Sequence, residues 1–171
     1  GALLFISVIG LHAQQPPPAI PHATALLAVL GSGADVKAKA DACRQLARVG
    51  TVKSIPVLAA LLGDKDLSHM ARYALEPIQD PAVDVALRDA LGKLTGKARI
   101  GVVGSLGLRR DAAASAALAE FLGAADSELS AAAARALGHI AAPAAIKALE
   151  DAVSVVPPQN QAPILDGLLT C

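Results

Sequence analysis

The sequence predicts an all-α protein, an α-solenoid of antiparallel helix pairs, and three features of the chain point there. The first is composition. In 171 residues there are 39 Ala and 25 Leu against two Phe, one Tyr and no Trp. Ala and Leu head the helix-propensity ranking, whereas sandwiches and barrels lean on β-branched and aromatic residues. The second feature is an internal repeat. Leu46, Leu75, Leu106, Leu137 and Leu168 recur at spacings of 29, 31, 31 and 31 residues. Leu58, Leu87, Leu118 and Leu149 share the first three spacings, as do Leu62, Leu91, Leu122 and Val153. The third is helical phase. Ala42, Ala71, Val102 and Ala133 stand four residues before the first-column Leu, and Ala38, Leu67, Ala98 and Leu129 stand eight before it. Offsets of four and eight keep side chains on one helical face. Each unit of about 31 residues therefore holds an A helix and a B helix.

Residues 23–30 align as a lone B helix, because Leu27 lies 31 before Leu58. Asp35 opens the first A helix, 36–48, as a residue able to cap a helix N-terminus by accepting a backbone N–H. Gly50 and Pro56 then mark the turn into a B helix at 54–62. Asp64 stands in the position of Asp35 and starts the A helix 66–76; Pro77 and Pro81 flank the turn into 82–92. Proline tolerates a first helical turn and resists a helix interior, so the breaks belong there. Thr95 begins the A helix 97–107, followed by the B helix 112–122. Asp126 begins 127–139, and Pro143 opens 143–154. Residues 161–170 form a last A helix through Leu168, and the array is expected to be cut at both ends, as a piece of a longer protein. Leu165, Leu168 and Leu169 would otherwise lack a covering B helix, which solenoids supply with polar-faced terminal repeats.

Ahead of the repeat domain, 23–171, the run Ala2 to Leu11 is almost wholly apolar. A helix needs roughly 20 residues to span a bilayer, so no stable membrane span is expected. Residues 1–13 read instead as a partial signal peptide with cleavage after Ala13, and 14–22 as a proline-rich linker. The expected location is exported, periplasmic or extracellular.

Fifteen Lys and Arg balance fifteen Asp and Glu. Without a basic excess or stacking aromatics, nucleic acid is not an expected partner. The charge is nonetheless patterned. Lys37, Lys39, Arg44, Arg48 and Lys53 crowd the first unit. Two residues after the B-helix Leu come Asp89, Glu120 and Asp151, with Glu150 beside the last, an acidic ridge able to bind a basic partner. A second candidate patch is His69, Arg72 and Tyr73, where Arg72 and Glu76 are also spaced for a surface ion pair.

The stretch ELSAAAARALGHIAAPAAIKALEDA, Glu128 to Ala152, resembles a HEAT repeat of the short bacterial type also found in phycobilisome-lyase-like proteins. The AAARALG run from Ala132 to Gly138, the Pro143 turn and Leu149 carry the resemblance, and Cys43 to Asp64 repeats it with Gly50 and Pro56. Glu76-Pro77 and Gly107-Leu108-Arg109-Arg110 depart from the usual Leu-Gly turn, and Ser130 stands where the family often has Arg. The resemblance implies binding surfaces and identifies no chemistry.

The remaining candidates for chemistry are sparse. Cys43 and Cys171 lie units apart, too far for a disulfide, and Cys43 reads as a small buried hydrophobe. His12, His22, His69 and His139 have no metal-ligand spacing, and Ser68 and His69, being adjacent, point different ways on a helix. Gly31-Ser32-Gly33 lacks the Lys and strand context of a phosphate loop. No catalysis and no cofactor are expected. The chain is expected to be a protein-interaction or scaffolding module of a larger exported protein. The alternatives are a non-catalytic accessory domain of an enzyme or cytochrome-like chain, and a lyase-like chaperone for a chromophore or protein.

Overall fold

The computed structural model of the protein describes residues 22–171. The expected partial signal peptide at 1–13 and all but the last residue of the expected linker at 14–22 lie outside the described residues. Ten α-helices run through the described residues, with no strand among them. They are α1 (Ala23–Gly31), α2 (Val36–Val49), α3 (Ile55–Ala60), α4 (Ser68–Leu75), α5 (Pro81–Lys93), α6 (Gly96–Leu108), α7 (Ser115–Ala119), α8 (Ser127–Ile140), α9 (Pro143–Val153) and α10 (Pro158–Thr170). The even-numbered helices are the expected A helices and the odd-numbered ones the expected B helices.

Helix starts follow the capping chemistry. The Asp35 carboxylate accepts from the Ala38 N–H at 2.7 Å, and Asp126 accepts from Glu128 and Leu129. Asp80 caps α5 in the same way through the Ala82 N–H. Asp64 accepts from Asp66 and Leu67, which winds a turn ahead of α4 and moves its start to Ser68 rather than 66. Those two N–H bonds hold the Asp64 carboxyl below the ordinary carboxylate range. Thr95 departs from the expectation, since its side chain makes no cap bond. The B helices α3 and α7 are shorter than expected because each begins as a 3-10 turn, Val52–Ser54 and Ala112–Ala114, and ends in a turn before Gly63 or Gly123. Pro158 sits in the first turn of α10, which starts three residues early, and Pro163 lies inside that helix against the expected rule.

The three Leu columns form the core. Leu46, Leu75, Leu106 and Leu137 are fully buried, as are Leu58, Leu87, Leu118 and Leu149; Leu62, Leu91 and Leu122 are nearly so. Val153 and Leu168, last in their columns, are half-buried. Leu165 and Leu169 are exposed. Burying a Leu side chain contributes about 1.5–3 kcal/mol, so each column position adds a substantial share to the cohesion between helices.

Packing follows chain order. α2 packs on α4, α4 on α6, α6 on α8 and α8 on α10. On the other side α1 packs on α3, α3 on α5 and α7 on α9. Cross-contacts α1 to α2, α3 to α4, α5 to α6 and α7 to α8 join the two sets. The approach is closest where side chains vanish. A Cβ on Gly107 would lie 2.6 Å from the Ala136 Cα, one on Gly138 2.6 Å from the Gly167 carbonyl oxygen, and one on Gly167 2.7 Å from that of Ala134. Gly107 and Gly138 each follow a column Leu, so the repeat itself places a bare backbone at the contacts among α6, α8 and α10.

Two A helices end in left-handed residues, Arg110 with φ 54° and Ala141 with φ 49°, one repeat apart. That conformation costs an L-residue about 1 kcal/mol or more. At Arg110 the cost is offset by its neighbours, Arg109 and Asp111, which are both bonded to α5.

Candidate functional site

The residues of the acidic ridge stand on three B helices. Asp89 lies on α5, Glu120 ends α7, and Glu150 and Asp151 lie on α9. All four are exposed. Asp151 is partly occupied, because Lys147 donates to both its carboxylate oxygens at 2.9 and 3.0 Å from one helical turn away. This bond raises the Lys147 ammonium above its ordinary value. Among the described residues, Asp89, Glu120 and Glu150 make no ion pair. Asp89 also borders a cleft of about 470 Å³ between α3 and α5, floored by Ala59, Leu62 and Ala90. The first unit contributes Ala60 at the ridge position, also exposed, so the carboxylates begin at the second unit.

Of the second candidate patch, His69 and Arg72 share a cleft of about 360 Å³ toward Lys97 and Ala98, with the Arg72 Nη2 3.4 Å from the His69 Nδ1, while Tyr73 faces a different cleft lined by Ala47, Arg48 and Leu108. Arg72 turns onto α6, donating to the Gly101 carbonyl at 3.2 Å, and a Cβ on Gly101 would strike its guanidinium. Burial pushes the Arg72 guanidinium below its ordinary value, with the Glu76 carboxylate acting the other way. The expected Arg72–Glu76 surface pair is absent. The Glu76 carboxylate instead accepts from the buried Ser105 hydroxyl at 2.7 Å.

Ser68, adjacent to His69, donates its hydroxyl to the Leu62 carbonyl at 2.7 Å. Ser130, one of the departures from the HEAT pattern, donates to the Leu122 carbonyl at 2.6 Å, and Arg99 donates to the Leu94 carbonyl. Ser68, Arg99 and Ser130 all stand seven before a column Leu. A single register position thus ties α4, α6 and α8 each to the end of the preceding B helix, through a hydroxyl in two of them and a guanidinium in the third. Buried Asn160 adds bonds to the Leu122 and Ala124 carbonyls.

Another departure, Gly107-Leu108-Arg109-Arg110, is a densely bonded turn. Arg109 donates to the Asp84 carboxylate and to the carbonyls of Glu76 (2.8 Å), Ile78 (2.8 Å) and Asp80 (3.2 Å). One turn along α5, Arg88 pairs with Asp111. Nothing in the spacing analysis flagged these bonds. The signal was present in the charged replacement of an otherwise apolar turn.

Both cysteines are free, with Cys43 buried and Cys171 exposed. Burial pushes the Cys43 thiol up to about 11, which leaves almost no thiolate near neutral pH. Ellman's reagent at pH 8 is therefore expected to titrate Cys171 quickly and Cys43 only after unfolding; fast reaction of both thiols in the native state would contradict the packing of α2.

Among the described residues, no group of three or more His, Cys, Asp or Glu is placed to hold a metal ion, and no helix is long and apolar enough to cross a membrane. No family model matches the chain, and the search of curated proteins finds no match.

Proposed function

We propose that the protein is a non-catalytic interaction scaffold: an α-solenoid of HEAT-like helix pairs, part of a longer exported chain, that binds a basic protein partner along its B helices. One observation carries the choice of surface. Asp89, Glu120, Glu150 and Asp151 are exposed on successive B helices, and three of the four have no ion-pair partner among the described residues. The order of helix packing, each A helix on the next, supports the solenoid. The use of Ser68 and Arg72 within the fold supports a role without catalysis.

An exposed charge pair is worth about 0–1 kcal/mol, so no single carboxylate sets the affinity. A row of them favours encounter with a basic surface and makes binding fall with salt. The test is fluorescence anisotropy with a labelled oligolysine peptide. Wild-type protein is expected to bind it, and the variant Asp89→Lys/Glu120→Lys/Asp151→Lys to lose about tenfold or more in affinity. Equal affinity for both proteins would overturn the assignment of the ridge.

A further inference from the structure

The A helices carry a surface of the opposite character. Two positions on each A helix, two residues before and two after the column Leu, are exposed in all four complete units. On α2 they hold Arg44 and Arg48, on α4 Tyr73 and Pro77, on α6 Gly104 and Leu108, and on α8 Arg135 and His139. The middle of this face is apolar and both ends are basic. Tyr73 is 48% exposed and Leu108 62%, both among the exposed large apolar side chains of the described residues.

The face is also grooved. A cleft of about 370 Å³ runs between α2 and α4, walled by Ala47, Arg48, Tyr73 and Pro77 and closed by Leu108. A second, of about 280 Å³, runs between α6 and α8, walled by Ile100, Gly104, Arg135 and His139 and closed by the other side of Leu108. Leu108 is thus the shared wall of two clefts, with Arg48 on the far rim of one and Arg135 on the far rim of the other. Arg110 borders Leu108 as well.

From α2 to α8 the charged side chains at these positions are basic, and Asp166 follows at the same register on α10. Arg44 is neutralised by Asp41. Arg48, Arg110, Arg135 and His139 make no ion pair among the described residues. Glu76 is the one carboxylate lining the first cleft, where one of its two oxygens accepts from the Ser105 hydroxyl and its charge stands beside Arg48. An apolar groove with unpaired cations at both ends calls for a ligand with bulky apolar side chains in its middle and carboxylates outside them.

We propose that the A-helix face binds a linear acidic peptide segment of a partner protein, seating one bulky apolar side chain in each cleft beside Leu108 and carboxylates against Arg48 and Arg135. Adjacent helices pack about 8–10 Å apart, so three steps from α2 to α8 cover roughly 27 Å. An extended segment rises about 3.3 Å per residue and spans that distance in about eight residues. Charge complementarity favours this occupant over the basic partner assigned to the B helices, and the A-helix face stands or falls independently of that assignment.

The probe is a fluorescein-labelled acidic peptide of about ten residues with two central Phe. Its controls are the same peptide with Phe replaced by Ala and the same peptide with Asp and Glu replaced by Lys. Wild-type protein is expected to bind the acidic Phe peptide about tenfold or more tightly than either control. Arg48→Glu/Arg135→Glu and, separately, Leu108→Asp are each expected to lose about tenfold in affinity. All three positions are exposed, and circular dichroism checks that the variants stay folded. The B-helix variant Asp89→Lys/Glu120→Lys/Asp151→Lys is expected to leave this binding in place. Equal binding of the three peptides, no binding of any, or loss of binding in the B-helix variant alone would overturn the proposal. So would self-association in sedimentation that Leu108→Asp abolishes and the peptide does not compete, which would make the occupant a second copy of this chain.

Discussion

Replacing Arg109 with alanine is expected to lower the unfolding free energy by about 2–3 kcal/mol, at or below the lower end of the cost of breaking a buried ion pair from one side, because this pair is part-buried. The guanidinium has five N–H donors, and its bonds run to the Asp84 carboxylate and to the carbonyls of Glu76, Ile78 and Asp80. The Arg109 side chain is 10% exposed and Asp84 22%, so water replaces little of what is lost. Alanine leaves Asp84 without its counterion and the Glu76 carbonyl without a donor, while the Ile78 and Asp80 carbonyls keep only the backbone N–H groups of Asp80 and Val83. Lysine keeps the charge but offers three donors from one point, and cannot reach both the carboxylate and the turn. Arg109→Lys is therefore expected to recover only a minority of the stability. Urea unfolding followed by circular dichroism measures both variants. A loss below about 1 kcal/mol for Arg109→Ala would place the residue with ordinary exposed ion pairs and contradict its role as the tie between the second and third units.

A pair of glycine substitutions is expected to move stability in opposite directions. Gly104 and Gly138 are both helix-interior glycines, and replacing such a glycine with alanine ordinarily gains about 1 kcal/mol in helix propensity. At Gly104 a new Cβ meets nothing within 4 Å, so Gly104→Ala is expected to raise stability by about 0.5–1 kcal/mol. At Gly138 the Cβ would sit 2.6 Å from the Gly167 carbonyl oxygen and 3.1 Å from its Cα, which are backbone atoms with no rotamer to yield. Separating α8 from α10 to admit it costs more than the propensity gain, because overpacking typically costs about 1–3 kcal/mol and here strips contact from a whole helix. Gly138→Ala is expected to destabilise by about 1–2 kcal/mol net and Gly138→Val by more. Thermal unfolding of the three variants decides it. A stabilising Gly138→Ala would mean that α8 and α10 do not approach as described.

The repeat of Leu at 29 and 31 residues placed α2 to α9 through buried column positions, whereas Leu27 and Leu168, which placed α1 and α10, are only half-buried. Helix starts at Asp35 and Asp126 were equally legible, since capping is a local property of one side chain. Where Asp64 bonded an earlier turn, and where Thr95 bonded nothing, the same residue class led to different ends. The candidate sites were less legible. Exposure of Asp89, Glu120, Glu150 and Asp151 follows from their place opposite the buried B-helix Leu. The fate of Arg72 depended on Gly101, a residue 29 positions away, and no local pattern couples the two. Arg109 escaped for the same reason: its partners are 25 to 33 residues distant and three of them are backbone carbonyls, which carry no sequence signature. The A-helix groove needed the columns first, because Tyr73 and Leu108 become neighbours only once α4 packs on α6.

In the proposed scaffold the helix pairs stack in a line, with the acidic B-helix ridge on one long face and the arginines of the A helices on the other. Arg44 on α2 and Asp166 on α10 occupy the same exposed position four units apart. Spin labels on cysteines at these two sites, with Cys43 and Cys171 replaced by Ala and Ser, would report their separation by pulsed dipolar spectroscopy. Four helix steps of about 8–10 Å predict a mean distance of about 35 Å. A mean near 15 Å, roughly the contact range of helices closed back on one another, would contradict the stacked array.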